Sequence, residues 1–159
     1  MTAVEVRPMR WWDIPAVHMI ETSIFTNDPW SIEQFWSELS EPTRHYFIAA
    51  IDGDIVGYAG SFVLSPEADV QTIGVASGHQ GQGIGGLLLT TLIEHAMQAH
   101  AAQLILEVRS DNVAAIAMYQ QFGFDRISSR PNYYAPDVDA LIMRLRPLAL
   151  DTTYGGGKR

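Results

Sequence analysis

Residues 69–99 read DVQTIGVASGHQGQGIGGLLLTTLIEHAMQA, and this stretch decides the architecture. Residues 69–75 form a β-rich run, residues 78–86 are glycine-rich, and from Ile84 to about Ala99 the apolar positions recur at helical spacing. Leu88, Leu92, Ala96 and Ala99 share one face, widened by Leu89 and Ile93. A strand that feeds a glycine loop opening a helix is an anion cradle. The first N–H groups of a helix lack internal partners, and the helix dipole favours negative charge there. Glycines let a phosphate come close to the backbone and permit unusual dihedrals. Gln80-Gly81-Gln82-Gly83-Ile84-Gly85-Gly86 is that loop, and without a Lys-Ser or Lys-Thr pair it is not of the Walker type.

The loop also satisfies G-x-G-x-x-G through Gly81, Gly83 and Gly86, and Glu107 follows Gly86 by about 20 residues, as in a dinucleotide-binding fingerprint. Three features count against that match. Gly81 stands six residues beyond Val75 rather than in a tight turn after the strand. Only one clear β-α-β crossover follows. A hairpin sheet precedes it in place of a second α/β half.

Working outward, residues 45–51 and 55–64 are β-rich runs joined by Asp52-Gly53, a strong hairpin signal. Residues 4–7 suit a first strand. Asp13 is placed to cap a helix that tolerates Pro15 early and repeats Ile14, Val17, Ile20 and Ile24 on one face. Ser31 and Gln34 form a capping box for a second helix to about Leu39. After the glycine loop's helix come an apolar strand over 103–108 and a helix over 113–122, capped by Asp111-Asn112 and closed by Gly123. Strands over 124–129 and 139–145 are expected around a loop at 130–138. The order β-α-α-β-β-β-α-β-α-β-β gives one mixed-sheet α/β domain over residues 1–150, with 151–159 a flexible C-terminal tail.

The composition excludes several classes. A chain of 159 residues that is 47% hydrophobic and 18% charged is globular. Its apolar runs fall far short of a membrane span, and no signal peptide is visible, so a cytoplasmic location is expected. With no Cys there is no thiolate nucleophile or metal site, and the five His show no metal spacing. A formal charge of −8 argues against direct nucleic-acid binding and suits a basic partner.

Glu107 interrupts an apolar strand, where a carboxylate must be paired, face water or work. Arg109 and Arg126 are its candidate partners. Asn112 is most simply a helix cap, and Tyr119 lies among Ile116, Met118 and Phe122, where core packing is the simpler role. Trp11, Trp12, Trp30 and Trp36 suit packing, with an aromatic substrate wall as the alternative. Together, a phosphate cradle, a carboxylate and a phenol suggest acyl transfer from a phosphate-bearing carrier. The phenol can protonate a thiolate, and the carboxylate can take a proton from an ammonium.

The chain resembles the GNAT superfamily of acetyl-CoA-dependent N-acyltransferases. Gln80-Gly81-Gln82-Gly83-Ile84-Gly85 fits that family's Q/R-x-x-G-x-G/A pyrophosphate loop. Asp28-Pro29-Trp30-Ser31, Thr72-Ile73-Gly74-Val75, Leu106-Glu107-Val108-Arg109-Ser110-Asp111-Asn112 and Asn132-Tyr133-Tyr134 are similar to the RimI-type branch, which acetylates the N-terminal alanine of a small-subunit ribosomal protein. The resemblance implies a GNAT-like single domain, with a mixed central sheet and four helices. It also implies direct transfer from acetyl-CoA to the N-terminal amine, with Glu107 as base and Tyr119 as acid. The main chain at Ile73, Gly74 and Val75 would hold the pantetheine arm and polarise the thioester. Gln80, Gly81, Gln82, Gly83, Ile84, Gly85 and Gly86 would hold the pyrophosphate, and Asn112 would contact the cofactor. Trp30, Tyr133 and Tyr134 would border the peptide. No metal is implied, and the expected partner of a monomeric enzyme is a basic peptide or protein N-terminus, with neither nucleic acid nor membrane. Gly81 and Gly86 stand where members commonly carry Arg or Lys, and Ala76-Ser77 where an acidic residue and Pro are common. Two other readings are an acetyltransferase for lysine or small amines and a non-catalytic acyl-CoA sensor.

Overall fold

Asp52 and Gly53 take φ of 51° and 84°, the left-handed pair that a two-residue hairpin turn demands and that Asp-Gly supplies cheaply. The turn joins β2 (Arg44–Ile51) to β3 (Asp54–Leu64), paired antiparallel with a bulge at Ala49/Ala50. The structure, a computed structural model, describes residues 3–149. β1 (Val4–Pro8) lies antiparallel on β2. Next come α1 (Ile14–Ile24), α2 (Ile32–Leu39), β4 (Glu67–Val75), α3 (Ile84–Gln98), β5 (Leu104–Arg109), α4 (Val113–Gln121), β6 (Asp125–Ala135) and β7 (Val138–Leu145). The strand order is β1-β2-β3-β4-β5-β7-β6, a seven-stranded mixed sheet with four helices, as the element pattern predicts. The expected tail at 151–159 lies outside the described residues. No helix among the described residues is long and apolar enough to cross a membrane.

The described residues form two compact units, 3–63 with 71–92 and 64–70 with 93–149. In the first, Ile14, Val17 and Ile20 of α1 pack with Phe35, Tyr46, Ile48 and Tyr58 in one buried cluster. In the second, β4 meets β5 in parallel at Asp69 and Ile105, and β5 pairs antiparallel with β7 from Leu104↔Leu145 to Arg109↔Ala140. Leu104, Leu106 and Val108 are buried while Glu107 is exposed, the alternation of a strand's two faces.

The helix starts follow the sequence with one exception. Ser31 and Gln34 close their capping box, the Ser31 Oγ accepting the Gln34 N–H at 3.1 Å and the Gln34 side chain accepting the Ser31 N–H at 2.7 Å. Asp13 stands at the start of α1, but its carboxylate does not cap the helix. It accepts the Arg7 guanidinium on both oxygens, at 2.8 and 2.9 Å, and the Arg10 N–H at 2.7 Å. A charged fork outcompetes an uncharged N–H for the same carboxylate.

Two expectations are corrected. The segment 130–138 is not a loop, because β6 continues to Ala135 and turns through Pro136-Asp137 into β7. The Asn132 N–H donates to Asp139 at 2.9 Å and the Asp137 N–H to the Asn132 side chain at 2.8 Å. Those bonds hold the register shift between Arg130 and Ala135. The tryptophans divide as well. Trp30 is half-buried against Phe35 and Tyr46, whereas Trp11, Trp12 and Trp36 are 58, 59 and 47% exposed. Trp11 meets Trp12 edge-on at 5.4 Å and stacks on Trp36 at 6.0 Å, so these rings pack on one another at the surface.

The Arg7 guanidinium holds the Asp13 carboxyl below its ordinary range. A depressed folded pKa gives stability that is present above the unfolded value of about 3.9 and lost as pH falls through the folded one. Asp13→Asn is expected to cost about 1–3 kcal/mol at neutral pH in chemical denaturation. It should also flatten the loss of stability below about pH 4.

Candidate active site

β4 ends at Val75 and is followed by a single 3-10 turn, Ser77–His79, anchored where the Ala76 N–H donates to the Val56 carbonyl at 2.8 Å. This turn separates Gly81 from the strand and rules out the tight strand-to-helix turn of a dinucleotide fingerprint. Gln80 then folds back, its side-chain amide donating to the Val75 carbonyl at 3.0 Å. That bond joins the two predicted cofactor segments, Ile73–Gly74–Val75 and the glycine loop. Gly81 and Gly83 adopt φ of 78° and 85°. A Cβ on either would meet nothing within 4 Å, so the dihedral, not crowding, requires glycine, and the loop's face is open. The first bond of α3 is from the Leu87 N–H to the Gly83 carbonyl at 3.1 Å. The N–H groups of Ile84, Gly85 and Gly86 therefore precede the helical ladder, as an anion site needs. Ile84 is 1% exposed and roots the start of the helix in the core. Gln82 lies in the exposed part of the loop.

Gly74 is glycine for a different reason. A Cβ there would come 2.7 Å from the Tyr58 phenol oxygen and 2.8 Å from the Ile24 side chain. Tyr58 is completely buried and donates to Glu21, itself 2% exposed on α1, whose other carboxylate oxygen accepts the Trp30 N–H at 2.9 Å.

In the second unit Glu107 projects from β5, its side chain about a third exposed, with one oxygen 3.4 Å from the Arg130 guanidinium. Neither partner expected from the sequence takes it. Arg109 makes a two-pronged contact with Asp111, both bonds 3.0 Å, and Arg126 reaches Ser129 at 3.3 Å. The Arg130 guanidinium lies 5.4 Å from the Tyr133 ring centre and that of Arg109 lies 5.2 Å from Tyr134. The two tyrosines meet edge-to-face at 5.1 Å. Burial, followed by the Glu107 charge, raises the Tyr134 phenol above its ordinary range. The structure thus groups Glu107 with Tyr133 and Tyr134 and adds Arg130, which the sequence left as a loop boundary.

Asn112 caps α4, its side-chain oxygen accepting the Ala115 N–H at 3.2 Å. Two turns along the same helix, Tyr119 is 4% exposed and packs its ring 5.7 Å from that of Phe124. Burial pushes its phenol up to about 12, so it is a neutral donor throughout the working pH range. Among the described residues no cluster of three or more His, Asp or Glu could hold a metal.

Comparison with known proteins adds the family. Residues 11–124 match the model of the Acetyltransferase (GNAT) family. The chain belongs to the GNAT family. The N-alpha-acetyltransferase RimI of Mycobacterium tuberculosis is 41% identical over 131 residues, 79% of this chain and 81% of that one. The [ribosomal protein bS18]-alanine N-acetyltransferase of Escherichia coli K12 is 36% identical over 136 residues, 84% of this chain and 90% of that one. The crystal structure of the ribosomal-protein-S18-alanine N-acetyltransferase from Escherichia coli superposes with a TM-score of 0.85 at 32% identity, covering 94% of this chain and 97% of that one. This GNAT protein is an acetyl-CoA-dependent N-acetyltransferase. The open loop fits the anionic end of acetyl-CoA. Its first helical N–H groups have no partner within the helix, and it contains no acidic side chain.

Replacing Gly83 by Ala forces a side chain into the left-handed region at about 1–2 kcal/mol. Gly83→Ala is expected to weaken acetyl-CoA binding about tenfold by calorimetric titration. Gly78, also with open space around it but no positive φ, is the control, and Gly78→Ala should stay within about twofold.

Proposed function

We propose that this enzyme moves acetyl from acetyl-CoA to the N-terminal α-amine, alanine foremost, of a ribosomal protein, with residues 1–150 as the acetyltransferase domain of a cytoplasmic monomer. The observation that carries this reading is the carboxylate of Glu107 beside Arg130, whose guanidinium lies over Tyr133 with Tyr134 next to it, a charged acceptor for an ammonium with aromatic surface for a peptide nearby. The names and identities of the relatives point the same way. A net charge of −8 favours encounter with a basic chain.

Acetyl-CoA supplies the acyl group as a thioester. The main chain at Ile73, Gly74 and Val75 positions and polarises it. Gln80 and Gly81 to Gly86 take the pyrophosphate on their backbone, and Asn112 adds a cofactor contact. Trp30, Tyr133 and Tyr134 border the peptide. Glu107 removes a proton from the α-ammonium, directly or through water. That ammonium has a pKa of about 7.7–8.0 against about 10.4 for lysine, so a carboxylate suffices for an N-terminus and is poorly matched to a lysine.

Tyr119 faces the departing sulfur as the acid. With its phenol pushed up to about 12 and a thiol near 8.5, full proton transfer to a free thiolate runs uphill by about 5 kcal/mol. The phenol therefore acts chiefly as a hydrogen-bond donor that strengthens as charge builds on sulfur. With no Cys in the chain, transfer is direct and needs no thiol acyl-enzyme.

Release of free thiol from acetyl-CoA with a peptide beginning Ala-Arg tests these roles. Glu107→Gln should lower kcat/KM about a hundredfold or more near pH 7, with a smaller deficit near pH 9, where the α-amine is already neutral. Tyr119→Phe should lower kcat about a hundredfold at both pH values with peptide KM little changed. Wild-type turnover in either variant would remove that residue from the mechanism.

A further inference from the structure

Glu21 is the buried acid that the reaction above leaves unused, and a carboxylate that deep persists only with partners on both oxygens. Its partners lie on different elements. One oxygen accepts the Trp30 main-chain N–H at 2.9 Å and the other accepts the Tyr58 hydroxyl. Burial, and then the bond to Glu21, raises the Tyr58 phenol well above its ordinary range, so it remains a donor. The Thr72 side chain hydrogen-bonds the same phenol. Trp30–Glu21–Tyr58–Thr72 is thus a continuous chain of hydrogen bonds, buried at Glu21 and Tyr58. It runs from the segment between α1 and α2 to the residue before Ile73 on β4, and the Tyr58 ring fills the space against Gly74.

We propose that Glu21 is a positioning residue for the acceptor. By accepting both Trp30 N–H and Tyr58 O–H, it fixes the Trp30 main chain relative to the strand assigned to the thioester. This rests on the reading of Trp30 as an acceptor contact. A carboxylate is required because both of its partners donate. In Glu21→Gln one oxygen becomes an NH₂, which leaves donor facing donor at Trp30 or displaces the proton of Tyr58. Hydrophobic replacement of the pair would leave the Trp30 N–H unheld.

The test measures peptide KM, kcat and acetyl-CoA affinity for Glu21→Gln, Tyr58→Phe and Trp30→Ala, with thermal unfolding as the control for folding. Glu21→Gln is expected to raise peptide KM about tenfold, with kcat and acetyl-CoA affinity within about threefold. Tyr58→Phe keeps the Trp30 contact, so it should raise peptide KM by less. Should Glu21→Gln fail to fold, Tyr58→Phe decides, with peptide KM expected to rise about threefold at unchanged acetyl-CoA affinity. An unmoved peptide KM, or an equal loss for both substrates, would overturn the positioning role. If Trp30→Ala itself leaves peptide KM unchanged, the acceptor reading of Trp30 fails first. If Trp30→Ala raises it and Glu21→Gln does not, the reading of Glu21 alone fails.

Discussion

A helix cannot satisfy its own first N–H groups, and α3 begins just after two glycines in the left-handed region, Gly81 and Gly83, that stand in open space. Much of the first unit serves that constraint. The 3-10 turn at Ser77–His79 carries the chain off β4, and Gln80 ties the loop back to Val75. The buried stripe Ile84, Leu88, Leu89 and Leu92 roots the helix so that its N-terminus keeps a fixed direction. No lysine or arginine lies between Ala76 and Gly86, so at the proposed pyrophosphate site the loop itself offers backbone dipoles in place of a cation. Where other GNAT members commonly place a cation at Gly81, this chain has a residue whose dihedral a side chain would strain.

The second unit sets a carboxylate and a phenol in opposite environments. Glu107 stays part-exposed, with the Arg130 guanidinium beside it. Tyr119 is buried, which keeps its proton on. These separate surroundings suit the roles proposed for the pair, Glu107 as base and Tyr119 as donor. The ion pair between Glu107 and Arg130 is long and half in solvent, so an incoming ammonium can replace it at little cost.

Local chemistry made most of the fold legible. The Asp52-Gly53 turn, the Ser31–Gln34 box, the Asn112 cap and the strand-loop-helix at 69–99 are written in residues whose physics acts over a few positions. What the sequence could not show depends on partners distant along the chain. Asp13 reads as a cap until Arg7 is brought beside it. Arg130 reads as loop until the Asn132 and Asp139 bonds extend β6, and only the fold shows that it, not Arg109 or Arg126, reaches Glu107. The tryptophans looked like core because size predicts burial, yet three of them pack on one another outside. Glu21 had a signal that went unread: it sits on the same helical stripe as Ile14, Val17 and Ile24, where a carboxylate has no business unless something buried requires it. Its partner Tyr58 is 37 residues away.

The central claim is that the acetyl group goes to an α-amine, and the site of modification tests it most directly. A peptide beginning Ala-Arg and carrying an internal lysine, incubated with the enzyme and acetyl-CoA, would be read by fragment-ion mass spectrometry. The account predicts acetyl on the N-terminal nitrogen, the lysine unmodified, and no product when that N-terminus is blocked. Acetyl on the lysine with the α-amine untouched would contradict it.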